Sequence, residues 1–492
     1  LPVREVRGYY LISLQRLKEE IAEKAGDIQD LAPEGIRNAF STQEYALYER
    51  FKKLSEVIDR GSPARNVPVY NGGLFLTEPE NSQEGRDQEI ARFLLEHPMP
   101  DQHFALGLDR MSRDIDAKKH SLGFIDYKSL GVRQLGSIYE GLLEFNVQVA
   151  AEKMAVVKGQ KTQEVVPYSK AKKEKLDIIT EGRGSSGKPR LIQKGEVYLV
   201  NDKHERKATG SYYTPDYIVK YIVEHAVGPV VDEKLEALRP RLQETEDKYR
   251  ALLKRRREVE NVEPDPYRLL TVNYGDVILD LFDIKVLDPA MGSGHFLVEA
   301  VDYITDRLVR FLDRFPFLTV FFEGMKEALL NELSDQQVAV DPALLTDVSL
   351  LKRHVLKRCI YGVDLNPMAV ELAKVSLWLD CFTLGAPLSF LDHHLKCGNS
   401  LIGAMARDLD EGLEDDQQMT FLTGPFAGLL QAAEIMRGVS LLTDVTLSQV
   451  RESGKLYEEY EEKAEPFKNL LDIYISQHFG VELAEEFLTV HD

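Results

Sequence analysis

The sequence predicts an α/β protein with helical regions flanking its central part, and three observations predict it. Ile284-Lys-Val-Leu287 is a short apolar run of strand type that leads into Asp288-Pro-Ala-Met-Gly-Ser-Gly-His-Phe-Leu297. After this glycine-rich turn, Leu297, Ala300, Val301, Ile304 and Leu308 recur at helical spacing, so a helix begins near His295. A second apolar strand, Cys359-Ile-Tyr-Gly-Val363, ends at Asp364, with Asn366 as N-cap and Pro367 at the first position of the next helix. Strand, glycine-rich turn and helix make a nucleotide-binding crossover.

Gly292 and Gly294 let the backbone turn tightly and approach a ligand where a side chain would clash. The helix behind them offers free N–H groups and a partial positive charge. The same turn also serves in many α/β proteins merely to reverse the chain. An acidic residue at the end of the second strand is where such folds hold ribose hydroxyls. Asp364 stands 76 positions after Asp288 (288 to 364), against about 20 in the compact unit. The excess is an insertion, placed at 315–350. Asp-Pro-Ala-Met-Gly-Ser-Gly is not the Gly-x-Gly-x-x-Gly spacing, which disfavours a dinucleotide. The helix over 368–379 is apolar on most sides, as one buried against a sheet would be.

Together, Asp288-Pro-Ala-Met-Gly-Ser-Gly-His-Phe296 and Tyr361-Gly-Val-Asp-Leu-Asn-Pro367 resemble the S-adenosylmethionine site of the adenine-N6 DNA methyltransferases. The nearest likeness is to the large enzymes of type IIG restriction-modification and of BREX- or DISARM-like phage defence. Gly210-Ser-Tyr-Tyr-Thr-Pro215 is similar to the motif that precedes the core in that family, and Cys397-Gly-Asn-Ser-Leu401 to the next strand-end motif. The resemblance covers 195–405. Tyr70-Asn-Gly-Gly-Leu-Phe75 and Leu135-Gly-Ser-Ile-Tyr-Glu140 extend it loosely towards the start.

The resemblance implies a Rossmann-like S-adenosylmethionine-dependent methyltransferase core, present in part. Asp288, Pro289, Ala290, Gly292 and Gly294 would surround the methionine moiety, Asp364 with Leu365 the ribose, and Asn399 the adenine. Tyr213, Thr214 and Pro215 would complete the pocket. Many relatives carry an acid where Asn399 stands, but its amide can also donate to and accept from a ring. The implied partner is double-stranded DNA with a flipped adenine, alongside other subunits of a defence system. The family's Asn-Pro-Pro-Tyr loop, which grips the target amino group, has no counterpart here, since Asn366-Pro-Met368 follows the ribose-binding acid. No catalytic residue is therefore assigned, and the chain by itself is expected to hold the methyl donor without transferring it. Methyl transfer by direct displacement needs positioning rather than a metal or a covalent nucleophile. A methyltransferase of RNA or protein, or a non-catalytic cofactor-binding scaffold, stands as the alternative.

A net charge of −20 argues against a protein that coats nucleic acid with its whole surface. Residues 151–210 nevertheless hold fourteen Lys or Arg and eight Asp or Glu, a local +6 that leaves −26 elsewhere. Lys170, Lys172, Lys173, Lys175, Arg183, Lys188 and Arg190 either contact phosphates or line a solvated loop around the linker-like Glu181-Gly-Arg-Gly-Ser-Ser-Gly187. No apolar run is long enough to span a bilayer, and a cytoplasmic setting is expected. Cys359, Cys381 and Cys397 lack metal spacing and read as buried reduced thiols. His393 and His394, being adjacent, read as residues at the surface or supporting a ligand-binding group from behind, and no metal site is expected.

In order along the chain, 1–194 reads as a mainly helical domain with a basic linker near its end. Leu14, Leu17 and Ile21 mark one helix face there, and Leu135, Ile138, Leu142 and Phe145 a helix over 130–145, while 76–120 is polar and poorly periodic. A strand at 196–200 opens the core domain, 195–405, with insertions near 231–270 and 315–350. Thr214 as N-cap and Pro215 as first residue start a helix; Thr214 is then a cap or a ligand contact. The basic run Lys254-Arg-Arg-Arg257 closes an exposed helix and faces either solvent or DNA. Residues 406–492 read as an acidic helical insertion, with Leu429, Ile435, Leu441, Leu442, Tyr457, Leu470 and Ile473 as packing positions.

Overall fold

The computed structural model describes residues 8–70, 77, 85–116, 120–127, 134, 136, 145–158, 163–181, 188–201, 214–405 and 419–481. The first part is helical: α1 (Tyr9–Ile12), α2 (Leu14–Ala25), α3 (Ala32–Ala39), α4 (Ala46–Arg60), α5 (Gly85–Glu96) and α6 (Asp101–Ser112). Ser13 caps α2 through its hydroxyl, and Leu17 and Ile21, one turn apart, are buried with Ile36, Leu47 and Ala105. Leu14 is exposed. Helices α5 and α6 occupy the stretch read as aperiodic. On α6 the inward positions include Asp101 and Asp109, which accept from the Leu47 N–H (2.7 Å) and Arg113 Nε (2.7 Å). Buried but paired polar groups keep the helix sound while breaking its apolar period.

The chain then turns to strands: β1 (Arg113–Ile115), β2 (Leu122–Phe124), β3 (Phe145–Val149), β4 (Met154–Lys158) and β5 (Gln163–Pro167). The short helix α7 (Tyr168–Lys173) precedes β6 (Thr180–Glu181), β7 (Lys188–Pro189), β8 (Leu191–Ile192) and β9 (Val197–Asn201). β3 pairs with β9, and β5–β4–β8 form an antiparallel sheet over Ala155, Val157 and Ala171. The mainly helical reading of 1–194 is therefore corrected for its last third, and the basic linker contains strands and a helix. Its core is built from small and β-branched residues, too few to stand out against the lysines. Of the helix read over 130–145, Phe145 opens β3, and most of the rest lies outside the described residues, as do 71–76 and all but Gly136 of 135–140.

The largest hydrophobic cluster lies between α8 (Asp216–Ala226) and the third strand of a parallel sheet. After α8 come α9 (Gly228–Glu258), α10 (Pro266–Asp280), β10 (Val286–Asp288), α11 (His295–Leu312), α12 (Thr319–Asp335) and α13 (Asp347–Cys359). They are followed by β11 (Ile360–Asp364), α14 (Pro367–Asp380) and β12 (Leu395–Cys397). The sheet order is β10–β11–β12, with Asp288 opposite Gly362 and Asp364 opposite Cys397. The three strands thus end nearly level. Helix α12, read as an insertion, sends Phe321, Phe322, Met325, Leu329 and Leu333 into the cluster, so it completes the core. Towards the N-terminal helices, the Leu388 N–H donates to the Tyr70 carbonyl (3.1 Å), and Asn66 exchanges two hydrogen bonds with Ala339.

Helices α15 (Met419–Leu441) and α16 (Leu447–Gln477) form an antiparallel pair, α16 opening on a capping box between Thr446 and Gln449. Leu441, read as a packing position, is 51% exposed, whereas Tyr457 and Leu470 are buried. The pair is pinned to the core by a buried ion pair between Lys357 of α13 and Asp444 in the α15–α16 turn. Ser453 accepts from Lys357 Nζ (2.8 Å) and donates to Asp444, whose second oxygen accepts from the Phe390 N–H (3.2 Å).

Candidate cofactor site

The carboxyl ends of β10, β11 and β12 carry the residues singled out from the sequence. Asp288 ends β10, and its Oδ1 accepts the Ala290 N–H at 3.0 Å, which starts the turn. The Met291 N–H donates to the Val363 carbonyl of β11 (3.0 Å), and the Gly294 N–H returns to the Met291 carbonyl (2.8 Å). Gly292 and Gly294 have φ of +53° and +81°, the left-handed region that suits glycine. A Cβ at Gly294 would stand 3.1 Å from that of Ala373 on α14, whereas one at Gly292 would meet nothing within 4 Å. One glycine therefore permits helix packing, and the other leaves an open face on the turn.

Asp364 joins all three strand ends. Its Oδ2 accepts the Gly292 N–H (2.9 Å), its Oδ1 the Asn366 N–H (2.8 Å), and its carbonyl the Gly398 N–H after β12 (2.9 Å). Each carboxylate oxygen retains a lone pair, so the group can hold its loops and still accept from a diol. Asp288 has its carboxyl raised above the usual range chiefly by burial, with the Ala290 N–H opposing and the negative charge of Asp364 adding. Asn399 lies exposed beyond β12 with its Oδ1 taking the Leu401 N–H (3.0 Å), which leaves its NH2 group as the outward donor. Pro289, Ala290 and Leu365 are exposed at the same end. Two carboxylates, exposed apolar side chains and an open glycine face suit a ligand with cationic groups, hydroxyls and a flat ring.

Two residues not singled out from the sequence connect the upstream segment to this end. Helix α8 begins at Asp216, with Pro215 at the N-cap position and no side-chain cap, so Thr214 is not the N-cap. Asp216 accepts from Nε2 of His295, the first residue of α11, at 3.2 Å. Thr214 and Pro215 are thereby brought beside the glycine turn, while Tyr213 lies outside the described residues. The Asp216 carboxyl is held below its usual range by Lys220 first and by His295 second. The signal available in sequence was only that each is a polar residue at the first turn of a helix, which is common capping chemistry.

Other expectations are corrected. His394 is buried and stacked on Tyr361 (4.2 Å), so it is not a surface residue, whereas His393 is half-buried and stacks on Phe390 (5.4 Å). Cys359 and Cys381 are buried, with the Cys359 thiol pushed up to about 12 by burial, but Cys397 is exposed. Among the described residues no cluster of His, Cys, Asp and Glu has metal-binding geometry, and no helix is long and apolar enough to cross a membrane.

No family model matches the chain, and no solved structure does. Over 231 residues it is 28% identical to a protein of Methanocaldococcus jannaschii named "Putative type II restriction enzyme and methyltransferase". The match takes in 44% of this chain and 17% of that protein, so the chain spans less than a fifth of the length of the curated relative it matches. The chain is related to a restriction-modification methyltransferase at that level of similarity.

Proposed function

We propose that this chain is the methyl-donor-binding part of a site-specific DNA methyltransferase that acts on adenine N6 in restriction-modification or phage defence. In this reading β10, β11 and β12 belong to a Rossmann-like sheet within 195–405. Residues 1–194 form an N-terminal domain and 406–492 a helical insertion. The observation that carries the reading is the position of Asp364, the acid ending the second strand, bonded to the glycine turn that ends the first. The likeness to the archaeal protein supports it.

S-adenosylmethionine, when bound, supplies an electrophilic methyl group on a sulfonium. Asp288 and the turn at Gly292 would meet its methionine end, Asp364 and Leu365 its ribose, Asn399 its adenine, and Tyr213 to Pro215 the side towards α8. Asp288 and Asp364 also favour a ligand that carries positive charge. The partner is DNA from which an adenine is flipped, since N6 is unreachable within the stack. No Asn-Pro-Pro-aromatic tetrapeptide occurs among the 492 residues, so the chain binds the donor and leaves the target amino group ungripped.

Calorimetric titration with S-adenosylmethionine tests this, with a nicotinamide dinucleotide as control. Saturable heat with the first ligand only is expected. No heat with either, or tighter binding of the dinucleotide, overturns the reading.

A further inference from the structure

The chain has two conspicuous basic runs, and the structure treats them differently. On α9, Lys248, Arg250, Lys254, Arg255, Arg256 and Arg257 each pair with a carboxylate, namely Glu244, Glu246, Glu258, Glu260 (twice) and Glu263. That run is neutralised within the protein. On α7, Lys170, Lys172 and Lys173 surround Ala171, whose side chain is buried against β4, so the helix turns its lysines outward. Lys170, Lys172, Lys173 and the neighbouring Lys175 are exposed, and none makes an ion pair with a described residue.

Tyr168 concentrates this charge. Its ring packs in the small core of the sheet, and its N–H donates to the Lys153 carbonyl at 2.9 Å. The ammonium of Lys153 stands 5.1 Å from the ring centroid and that of Lys172 4.8 Å from it. Two cations are held at one ring, and among the described residues no carboxylate is paired to either. Cations at the last turn of a helix are favourable to that helix, but six residues supply little dipole. The rest of the molecule, at −26 against +6 here, repels a polyanion.

We propose that the lysine face of α7, with Lys153 beside it, contacts the phosphates of duplex DNA. This rests on the reading of the chain as part of a DNA methyltransferase and assigns the DNA-facing side of its N-terminal region. The contact is electrostatic and carries no sequence preference.

The test is fluorescence anisotropy of the whole chain with a mixed-sequence duplex between 50 and 200 mM KCl. Wild type is compared with Lys170→Gln/Lys172→Gln/Lys173→Gln on α7 and with Arg255→Gln/Arg256→Gln/Arg257→Gln on α9, thermal melts confirming that all are folded. Each lost phosphate contact should remove roughly 0.9 from the slope of log affinity against log salt. A decrease of about 2 to 3 is expected for the α7 variant and none for the α9 variant. An unchanged slope in the α7 variant, or no salt-dependent binding by wild type, overturns the proposal. So does stronger capture of polyglutamate than of DNA, which would assign the face to an acidic protein. Titrating the same proteins with S-adenosylmethionine separates the two readings: donor binding without DNA binding sinks this surface alone, and DNA binding through α7 without donor binding sinks the cofactor site alone.

Discussion

The backbone N–H of Gly292 donates to Oδ2 of Asp364 across 2.9 Å, joining the turn after β10 to the end of β11. The bond makes Asp364 a structural brace as well as a ligand candidate. Asp364→Ala should therefore lower stability by about 1–3 kcal/mol through two unsatisfied backbone donors. It should also weaken S-adenosylmethionine binding roughly tenfold or more, because a diol loses a charged acceptor. Calorimetry and urea titration read the two effects separately. Loss of stability with unchanged donor affinity would leave Asp364 as a brace only.

The two glycines of the turn should separate packing from binding. Gly294→Ala combines a φ of +81° with a Cβ 3.1 Å from Ala373 and should cost roughly 1–3 kcal/mol of stability. Gly292→Ala carries the backbone strain without the clash, so it should unfold less readily than Gly294→Ala and yet bind the donor more weakly. Equal donor affinity in Gly292→Ala and wild type would show that this face of the turn is not occupied.

Acid should destabilise the protein through neutral histidines shielded from water. Burial holds His354, His393 and His394 below the usual imidazole range, His394 at about 3. Below about 6.5 the unfolded chain binds protons that the folded chain refuses. The contribution of these histidines should accordingly be complete above pH 6.5 and be lost as pH drops below it, by up to about 1.4 kcal/mol per unit for each histidine. His354 lies against Phe282 and Phe321, so His354→Leu should flatten the pH dependence of the urea midpoint by about one proton. Superimposable slopes for the variant and wild type between pH 7.5 and 4.5 would refute the assignment.

The Lys357–Asp444 pair should behave as a buried ion pair whose halves depend on each other. Burial lowers the Lys357 ammonium to about 8 despite Asp444 beside it. Lys357→Met leaves Asp444 charged in the interior and should cost about 3–5 kcal/mol. Adding Asp444→Asn, which suits the positive φ there, should recover part of that loss. A double variant no more stable than the single one would argue against coupling. The measurement is a double-mutant cycle by urea denaturation.

The sequence by itself determined the strands, turn and helix starts at 284–297 and 359–367. Each depends on residues close in the chain: two glycines at positive φ, Asn366 accepting the Met368 N–H, and apolar runs at the strand or helix period. It also marked Asp288, Asp364 and Asn399 as candidates, through an order of motifs that spans more than a hundred residues. Only the tertiary structure decided how Asp364 reaches Gly292, how Asp216 of α8 meets His295 of α11, and that the α7 lysines face outward. The first two relations link positions 72 and 79 apart, and no local pattern encodes them, whereas the α9 cations pair with carboxylates four to six residues away. Lys357 shows the same limit: it reads as a surface lysine of a helix, yet its charge is buried because a turn 87 residues later brings Asp444 to it. Local period reports which side of an element is apolar, whereas the partner for a polar group comes from chain folded back over long distance, and only packing selects it.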